Sequence, residues 1–340
     1  MAHVQYQVEL APGGQTFSVA ENETVLDGAL RAGVEILYGC RQGRCSTCKY
    51  LIEEGEVDVG EVNAYSLPDN ERDAGWALLC RAKPYSDLLI RDHREPDERA
   101  LPVLAPVSVA AEVAGVAQLT PELWELQVNL PVALPFYAGQ FVELGLPGEQ
   151  GVVTRNYSMA SPPSADRRLS FLLKRIDGGA FSSRITQLQA GSPISVRGPF
   201  GGSYLRSGDR PIVMCAIGSG LAPVMAMLRA AGERGDSRHF TLFYGARRPQ
   251  DLPYLDELRA GFGLHFDFVP TLDGVIDGDN WHGANGTVTR AVQHAIENAR
   301  DIDAYLCGAP PMCDTVSRLL SAKGLPVEQL FFDRFFAASS

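Results

Sequence analysis

The feature that most constrains this chain is the run Gly39-Cys40-Arg41-Gln42-Gly43-Arg44-Cys45-Ser46-Thr47-Cys48, joined after 31 residues by Cys80. Written as spacing it is C-x4-C-x2-C…C, the plant-type arrangement for a two-iron two-sulfur cluster. One tight loop must wrap most of such a cluster, presenting three thiolates and several backbone N–H groups, and a fourth thiolate arrives from elsewhere. Gly39 and Gly43 permit the close approach and unusual φ angles that the wrapping requires. A structural zinc site also takes four cysteines, but zinc knuckles usually pair two C-x2-C hooks and only one such pair exists here. Cys40, Cys45, Cys48 and Cys80 are the expected metal ligands. An odd total of seven cysteines, three of them packed into nine residues, points to metal ligation in a reducing compartment before disulfides.

A length of 340 residues suggests two or three domains. Residues 1–92 carry short alternating runs, a helical stretch from Thr24 to Ala32, the cysteine loop and further short strands, which describes a small α+β module. Residues 93–106 read as a linker, because Asp92 to Pro106 (DHREPDERALPVLAP) holds three prolines and a charge run without periodicity. From 107 to 207, strand-like segments recur between Pro/Gly turns with one short helix candidate, Phe181–Gln189, favouring a compact antiparallel β-barrel or sandwich. From 208 to 340, strands alternate with helices, including Pro223–Ala231, Val288–Ala299 and Cys313–Ala322, which indicates an α/β module with a parallel sheet.

The formal charge of −11 argues against nucleic-acid and anionic-membrane surfaces, which need a basic face. Residues 1–100 hold 10 Lys/Arg against 18 Asp/Glu, so most of the acidity sits beside the cysteine loop, as a solvated face or as a docking surface for a basic redox partner. The start has neither a basic n-region nor an apolar h-region. The longest apolar stretch, Ile212 to Leu228, is broken by Gly218, Gly220 and Pro223. A cytoplasmic protein without a membrane span is the expectation.

Arg155-Asn156-Tyr157-Ser158-Met159-Ala160-Ser161 is R-x-Y-S-x-x-S at a strand end. With the cysteine loop, it resembles the ferredoxin-NADP reductase family, whose flavin domains carry that motif. The resemblance implies that Arg155 holds the flavin phosphates, that Tyr157 lies against the isoalloxazine ring and that Ser158 hydrogen-bonds near N5. An arginine fork suits pyrophosphate, and an aromatic can stack on a tricyclic ring. It also implies that Gly179 and Ser182, in Gly178-Gly179-Ala180-Phe181-Ser182, meet the flavin pyrophosphate at a helix start.

Further on, Gly218-Ser219-Gly220-Leu221-Ala222-Pro223 follows a strand and opens a helix, where glycines let a dinucleotide's pyrophosphate approach the backbone. It resembles the family's G-T-G-x-x-P, with Ser219 in place of threonine and Pro223 where the ordinary fingerprint has its third glycine. Tyr305-Leu306-Cys307-Gly308-Ala309-Pro310-Pro311-Met312 resembles Y-x-C-G-P-x-x-M, which implies that Cys307 and Gly308 sit by the nicotinamide, with Ala309 departing from the usual proline. The tail Phe331-Phe332-Asp333-Arg334-Phe335 resembles the ending of multicomponent monooxygenase reductases, in which an acidic residue and an aromatic approach the flavin. Asp333 stands for the more usual glutamate, and Phe335 is either a ring cover or a core residue. Tyr157, Ser158, Cys307 and Asp333 are the expected catalytic set.

The resemblance spans the whole chain, with a β-grasp ferredoxin, a flavin barrel and a nicotinamide domain in that order. It implies FAD, a 2Fe-2S cluster and NADH as cofactors. NADPH is the lesser candidate, because Arg247 or Arg248 in Gly245-Ala246-Arg247-Arg248 could accept a 2′-phosphate. The activity it implies is that of a monooxygenase reductase component, in which NADH gives a hydride to the flavin and single electrons leave through the cluster to a di-iron hydroxylase docking at the ferredoxin domain. Two alternatives stand beside it: the reductase of a Rieske aromatic-ring dioxygenase, and a redox-sensing or zinc-containing interaction module without turnover.

Overall fold

The computed structural model describes residues 4–94, 97–148, 151–163 and 167–336. Parts of the expected modules lie outside the described residues: 1–3 of the first, 95–96 of the linker, 149–150 and 164–166 of the barrel, and 337–340 of the last. The chain divides into two compact units between Pro106 and Val107. Among the described residues no helix is long and apolar enough to cross a membrane.

The first unit is built on β1 (Gln5–Ala11), β2 (Gln15–Ala20), α1 (Val25–Ala32), β3 (Lys49–Glu54), β4 (Val57–Asp58), α2 (Asp69–Asp73), β5 (Trp76–Leu78), β6 (Lys83–Pro84) and β7 (Leu88–Arg91). Its five-stranded sheet runs β2-β1-β7-β3-β5, with a parallel β1–β7 pair at the centre of antiparallel neighbours, a β-grasp arrangement. Helix α1 starts where Thr24 Oγ1 accepts the Asp27 amide at 3.1 Å and stops at Gly33, whose φ of 72° closes the helix in the left-handed region. Its apolar face, with Leu26 and Leu30 buried, packs against β2, where Gly28 lies close to Val19.

The second unit begins with β8 (Val107–Gln118), β9 (Leu123–Asn129), β10 (Phe141–Gly148), β11 (Gly151–Ser158), β12 (Arg168–Lys174) and β13 (Pro193–Phe200). They form a six-stranded sheet in the order β11-β10-β13-β8-β9-β12. An antiparallel bridge between Met159 and Phe171 joins its two edges, closing the sheet as a barrel. The helix expected over Phe181–Gln189 is instead a six-residue 3-10 turn, Ser182–Gln187. Ser182 Oγ accepts the Ile176 amide and Ser183 Oγ donates to the Gly179 carbonyl, so both hydroxyls serve the loop rather than an α-helical start.

The same unit continues with β14 (Ile212–Ile217), α3 (Leu221–Glu233), β15 (His239–Ala246), α4 (Leu255–Ala260), β16 (His265–Leu272), β17 (Ala284–Asn285), α5 (Val288–Ala295), β18 (Asp303–Gly308), α6 (Pro310–Ala322) and β19 (Leu330–Arg334). Its sheet, β17-β16-β15-β14-β18-β19, is parallel throughout. Strands β14 and β18 are buried almost along their whole length, as central strands covered on both faces must be. Helix α5 ends four residues before the expected Ala299, because Ile296 turns extended and the Asn298 side chain then caps the Arg300 amide.

Barrel and parallel sheet each have a buried cluster of their own and share a third. Leu123, Ala138, Ala160, Leu172 and Leu205 from the barrel side pack in the same apolar cluster as Met214, Met227 and Tyr244. Arg229 on α3 ties them further, donating to the Ala160 carbonyl at 2.8 Å while gripping Glu257 through two bonds of 2.7 Å. Truncating the fully buried Met227 to Ala should therefore cost about 2–5 kcal/mol. It should lower a single unfolding transition of barrel and sheet together, read by circular dichroism and limited proteolysis.

Candidate functional site

The cysteine loop turns tightly because three of its residues take left-handed φ: Arg41 (55°), Gly43 (70°) and Ser46 (58°). Such reversals aim successive amides into one concavity, a nest suited to anionic sulfur. The Gln42 amide reaches Cys40 Sγ and the Cys40 amide reaches Cys45 Sγ, both at 3.3 Å. A Cβ on Gly39 would crowd Cys45 Sγ at 3.2 Å, and Gly43 combines its left-handed φ with equally close neighbours, Arg81 Cγ at 3.1 Å and the Glu61 carbonyl at 3.2 Å. Arg41 pairs with Asp27 on α1, and Ser46 Oγ donates to the Ser66 carbonyl at 2.9 Å; together they hold the two non-glycine reversals in place.

The four thiols associate two by two. Cys40 and Cys45 share one hydrogen bond, which drives the Cys45 thiol down to about 5 and the Cys40 thiol up. Cys48 and Cys80 share another, lowering Cys80 and raising Cys48. Among the described residues no three His, Cys, Asp or Glu side chains converge on a point that would hold a single metal ion. Two thiol pairs served by backbone N–H groups fit a binuclear cluster, one pair to each iron, better than a tetrahedral zinc ion. Cys48 and Cys80 are buried, while Cys40 and Cys45 are partly exposed and form the open side.

In the second unit the expected residues come from both sheets. Arg155, Tyr157 and Ser158 lie on β11, with one Arg155 nitrogen donating to the Thr154 carbonyl at 2.7 Å and no other hydrogen bond to its fork among the described residues. The Tyr157 ring stands 5.0 Å from that of Phe181, and burial pushes its phenol well above the usual range, so it remains a neutral aromatic. Ser158 Oγ donates to Asp333 Oδ2 at 2.9 Å, across 175 residues of sequence. Asp333 on β19 is the register partner of Cys307 on β18. Cys307 is fully buried, and burial pushes its thiol far up, with the Asp333 carboxylate adding to the effect.

The glycines divide by role. A Cβ on Gly220 would lie 2.2 Å from the Cys307 carbonyl oxygen, so the glycine lets the turn pack against β18. Gly218 has φ 53° and open space around it, and the Ser219 hydroxyl has no protein partner among the described residues. Pro223 sits in the first turn of α3. Gly308 takes φ 140° against Ile217, and its carbonyl accepts the Phe335 amide at 2.8 Å; the Phe335 side chain is half-buried. On the barrel, Gly179 packs on Ser182 and the Ile176 carbonyl. A residue not singled out in the sequence, Tyr244, holds the turn by donating to the Gly218 carbonyl at 3.1 Å. Its signal was an aromatic at the end of the strand next to the glycine turn.

An antiparallel barrel with an Arg-x-Tyr-Ser strand, a parallel sheet with a glycine turn beside a buried cysteine, and a paired-thiol loop define a flavin and iron–sulfur nicotinamide oxidoreductase. Three family models match in that sense: a 2Fe-2S iron-sulfur cluster binding domain over residues 8–85, an oxidoreductase FAD-binding domain over 111–204 and an oxidoreductase NAD-binding domain over 214–318. The chain is 36% identical to the reductase component of phenol 2-monooxygenase from Pseudomonas sp. (strain CF600), covering 99% of this chain and 96% of that one. It is 33% identical to the reductase component of propane 2-monooxygenase from Rhodococcus jostii (strain RHA1), over 97% and 91%. A toluate 1,2-dioxygenase electron transfer component from Pseudomonas putida is also 33% identical, over 93% and 94%. Among solved structures, the crystal structure of the Amycolatopsis cytochrome P450 reductase GcoB superposes with a TM-score of 0.86 at 29% identity, covering 98% of this chain and all of that one. The chain belongs to the family of reductase components that join a ferredoxin domain to FAD- and NAD-binding domains.

Cys80→Ser should abolish the visible iron–sulfur bands and the bound iron while leaving the flavin absorbance in place, because the cysteine loop and the barrel belong to separate compact units. Metal analysis and absorbance of the purified variant check this.

Proposed function

We propose that this chain is the NADH-dependent reductase component of a multicomponent monooxygenase, with a di-iron hydroxylase as its partner and the acidic ferredoxin domain as the docking face. The relatives named as reductase components that cover nearly the whole chain serve phenol and propane monooxygenases, which favours this reading over a Rieske dioxygenase partner. The ferredoxin would span 1–92, the linker 93–106, the flavin barrel 107–207 and the nicotinamide domain 208–340. A cytoplasmic location agrees with free thiols throughout the described chain. When bound, the nicotinamide, flavin and cluster supply the conversion of a two-electron hydride into single electrons.

The observation that carries the reading is the hydrogen bond from Ser158 to Asp333. It joins the barrel strand expected to face the flavin ring to the sheet edge whose neighbour carries Cys307. Arg155 would hold flavin phosphate through the free part of its guanidinium, and Tyr157 would lie against the ring. Gly179 and Ser182 would line the phosphate end. Ser158 and Asp333 would hold or move a proton near N5, with Asp333 fixing the Ser158 hydroxyl. Gly218, Ser219, Gly220 and Pro223 would present the helix start of α3 to the nicotinamide dinucleotide, Cys307 and Gly308 would border its ring, and Phe335 would cover the flavin.

Specificity for NADH is supported by Arg248, which is already engaged. Its side chain pairs with Asp279 at 2.6 Å, and its amide donates to Asp251 at 3.0 Å. A 2′-phosphate arriving there meets a carboxylate in possession of the guanidinium. Arg247 remains exposed.

Anaerobic titration with NADH should bleach both flavin and iron–sulfur bands; a protein with both cofactors that NADH leaves unbleached would overturn the reading. Asp279→Asn should raise kcat/KM for NADPH relative to NADH by roughly tenfold, the worth of about one charge-assisted hydrogen bond. Steady-state kinetics with both nucleotides measure the ratio.

A further inference from the structure

The first residues of the expected linker are fastened to the cysteine loop. Strand β7 ends at Arg91, and each of the next three residues has a partner in the ferredoxin unit. The Asp92 amide donates to the Ala11 carbonyl, and the His93 ring stands 5.0 Å from that of Trp76. Arg94 does most. Its Nε and Nη2 donate to the two Asp92 carboxylate oxygens at 2.7 and 2.9 Å, and its Nη1 donates to the Thr47 carbonyl. The guanidinium carbon also lies 4.9 Å from the centre of the Tyr50 ring.

Tyr50 completes the connection. It is almost wholly buried, its hydroxyl accepts the Leu37 amide at 3.1 Å, and it hydrogen-bonds the Asp92 carboxylate. A polar chain thus runs from Leu37, three residues before Cys40, through Tyr50, Asp92 and Arg94 to Thr47, which lies between Cys45 and Cys48. It grips both flanks of the loop that carries three of the four thiols. The carbonyl of Thr47 and the N–H of Cys48 share one planar peptide, so fixing the first fixes the direction of the second.

We propose that Arg94 is a positioning residue for the iron–sulfur site. It holds the Thr47 peptide and brings a fixed positive charge against the loop, raising the one-electron potential of the cluster and tying it to the placement of the linker's first turn. Reduction adds a negative charge to the cluster, and net charge and hydrogen bonding are among the principal determinants of such potentials. Asp92 lies on the edge of the guanidinium away from Thr47, so the cation is the nearer of the two charges to the loop. Removing each charge must therefore move the potential in opposite directions. This inference rests on the cysteine loop holding the cluster.

The test is a potentiometric titration of the full holoprotein, followed by electron paramagnetic resonance of the reduced cluster, with the flavin potential as internal control. Arg94→Gln should make cluster reduction less favourable by about three- to tenfold, tenfold being 59 mV for a one-electron couple. Asp92→Asn should shift it the other way, and Arg94→Lys, keeping the charge but not the fork, should stay closer to the parent than Arg94→Gln does. The flavin potential should not move. Unshifted cluster potentials in both charge variants, or shifts of the same sign, would overturn the role assigned to Arg94. If Arg94→Gln loses its cluster, the upward shift in Asp92→Asn decides the matter alone. A parent protein without visible cluster bands would remove the cysteine-loop reading itself, an outcome distinct from intact clusters with unmoved potentials.

Discussion

The second unit is organised around one short contact, the hydrogen bond from Ser158 to Asp333 at 2.9 Å. A serine at the end of an antiparallel strand and a carboxylate on the edge of a parallel sheet meet only if both sheets are fixed relative to each other to within a fraction of an ångström. The shared apolar cluster and the Arg229 bonds to Ala160 and Glu257 supply that rigidity. The parallel register then sets Asp333 beside Cys307, and Gly220 lets the glycine turn close down on the Cys307 carbonyl. Four segments distant in sequence become neighbours through backbone geometry, with few side chains asked to reach far.

The cysteine loop obeys a different economy. Two non-glycine residues in the left-handed region each carry a strain on the order of 1–3 kcal/mol. Burying thiolates adds to it, since burial opposes the charged form. Ion pairing of Arg41 with Asp27 and the Ser46 bond to Ser66 hold the loop in a shape it would not choose alone. Such a loop is organised for its cofactor, so part of the binding energy of the cluster is folding energy of the loop.

What the sequence disclosed was what short spacing encodes. Four cysteines in a plant-type pattern, Arg-x-Tyr-Ser at a strand end and a glycine turn before an apolar helix are local statements, and the structure places each on the element expected. Long-range facts were not legible. Nothing in Leu330–Arg334 alternates in the manner of an edge strand, so β19 was visible only as a tail motif. The packing of Gly220 on the Cys307 carbonyl was among them, since only the fold brings the two together. The helix expected after Phe181 gave way to a 3-10 turn because two serines hydrogen-bond locally, a competition that periodicity does not register. Arg94 sat inside a charge run that reads as solvated linker, and its partners at Thr47 and Tyr50 lie more than forty residues upstream.

The apolar cluster shared by barrel and parallel sheet bears on how such proteins can be recombined. A crossover anywhere between Val107 and the last strand would pair half of an apolar interior with a stranger's other half. The boundary near Pro106 divides two units that each carry their own interior. Inheritance should respect that difference, with the flavin and nicotinamide halves travelling together as one cassette and the ferredoxin as the exchangeable part. Because Asp92 to Arg94 are wired to the cysteine loop, a graft that preserves the cluster's surroundings has to carry the ferredoxin through at least Arg94, not stop at the end of its last strand.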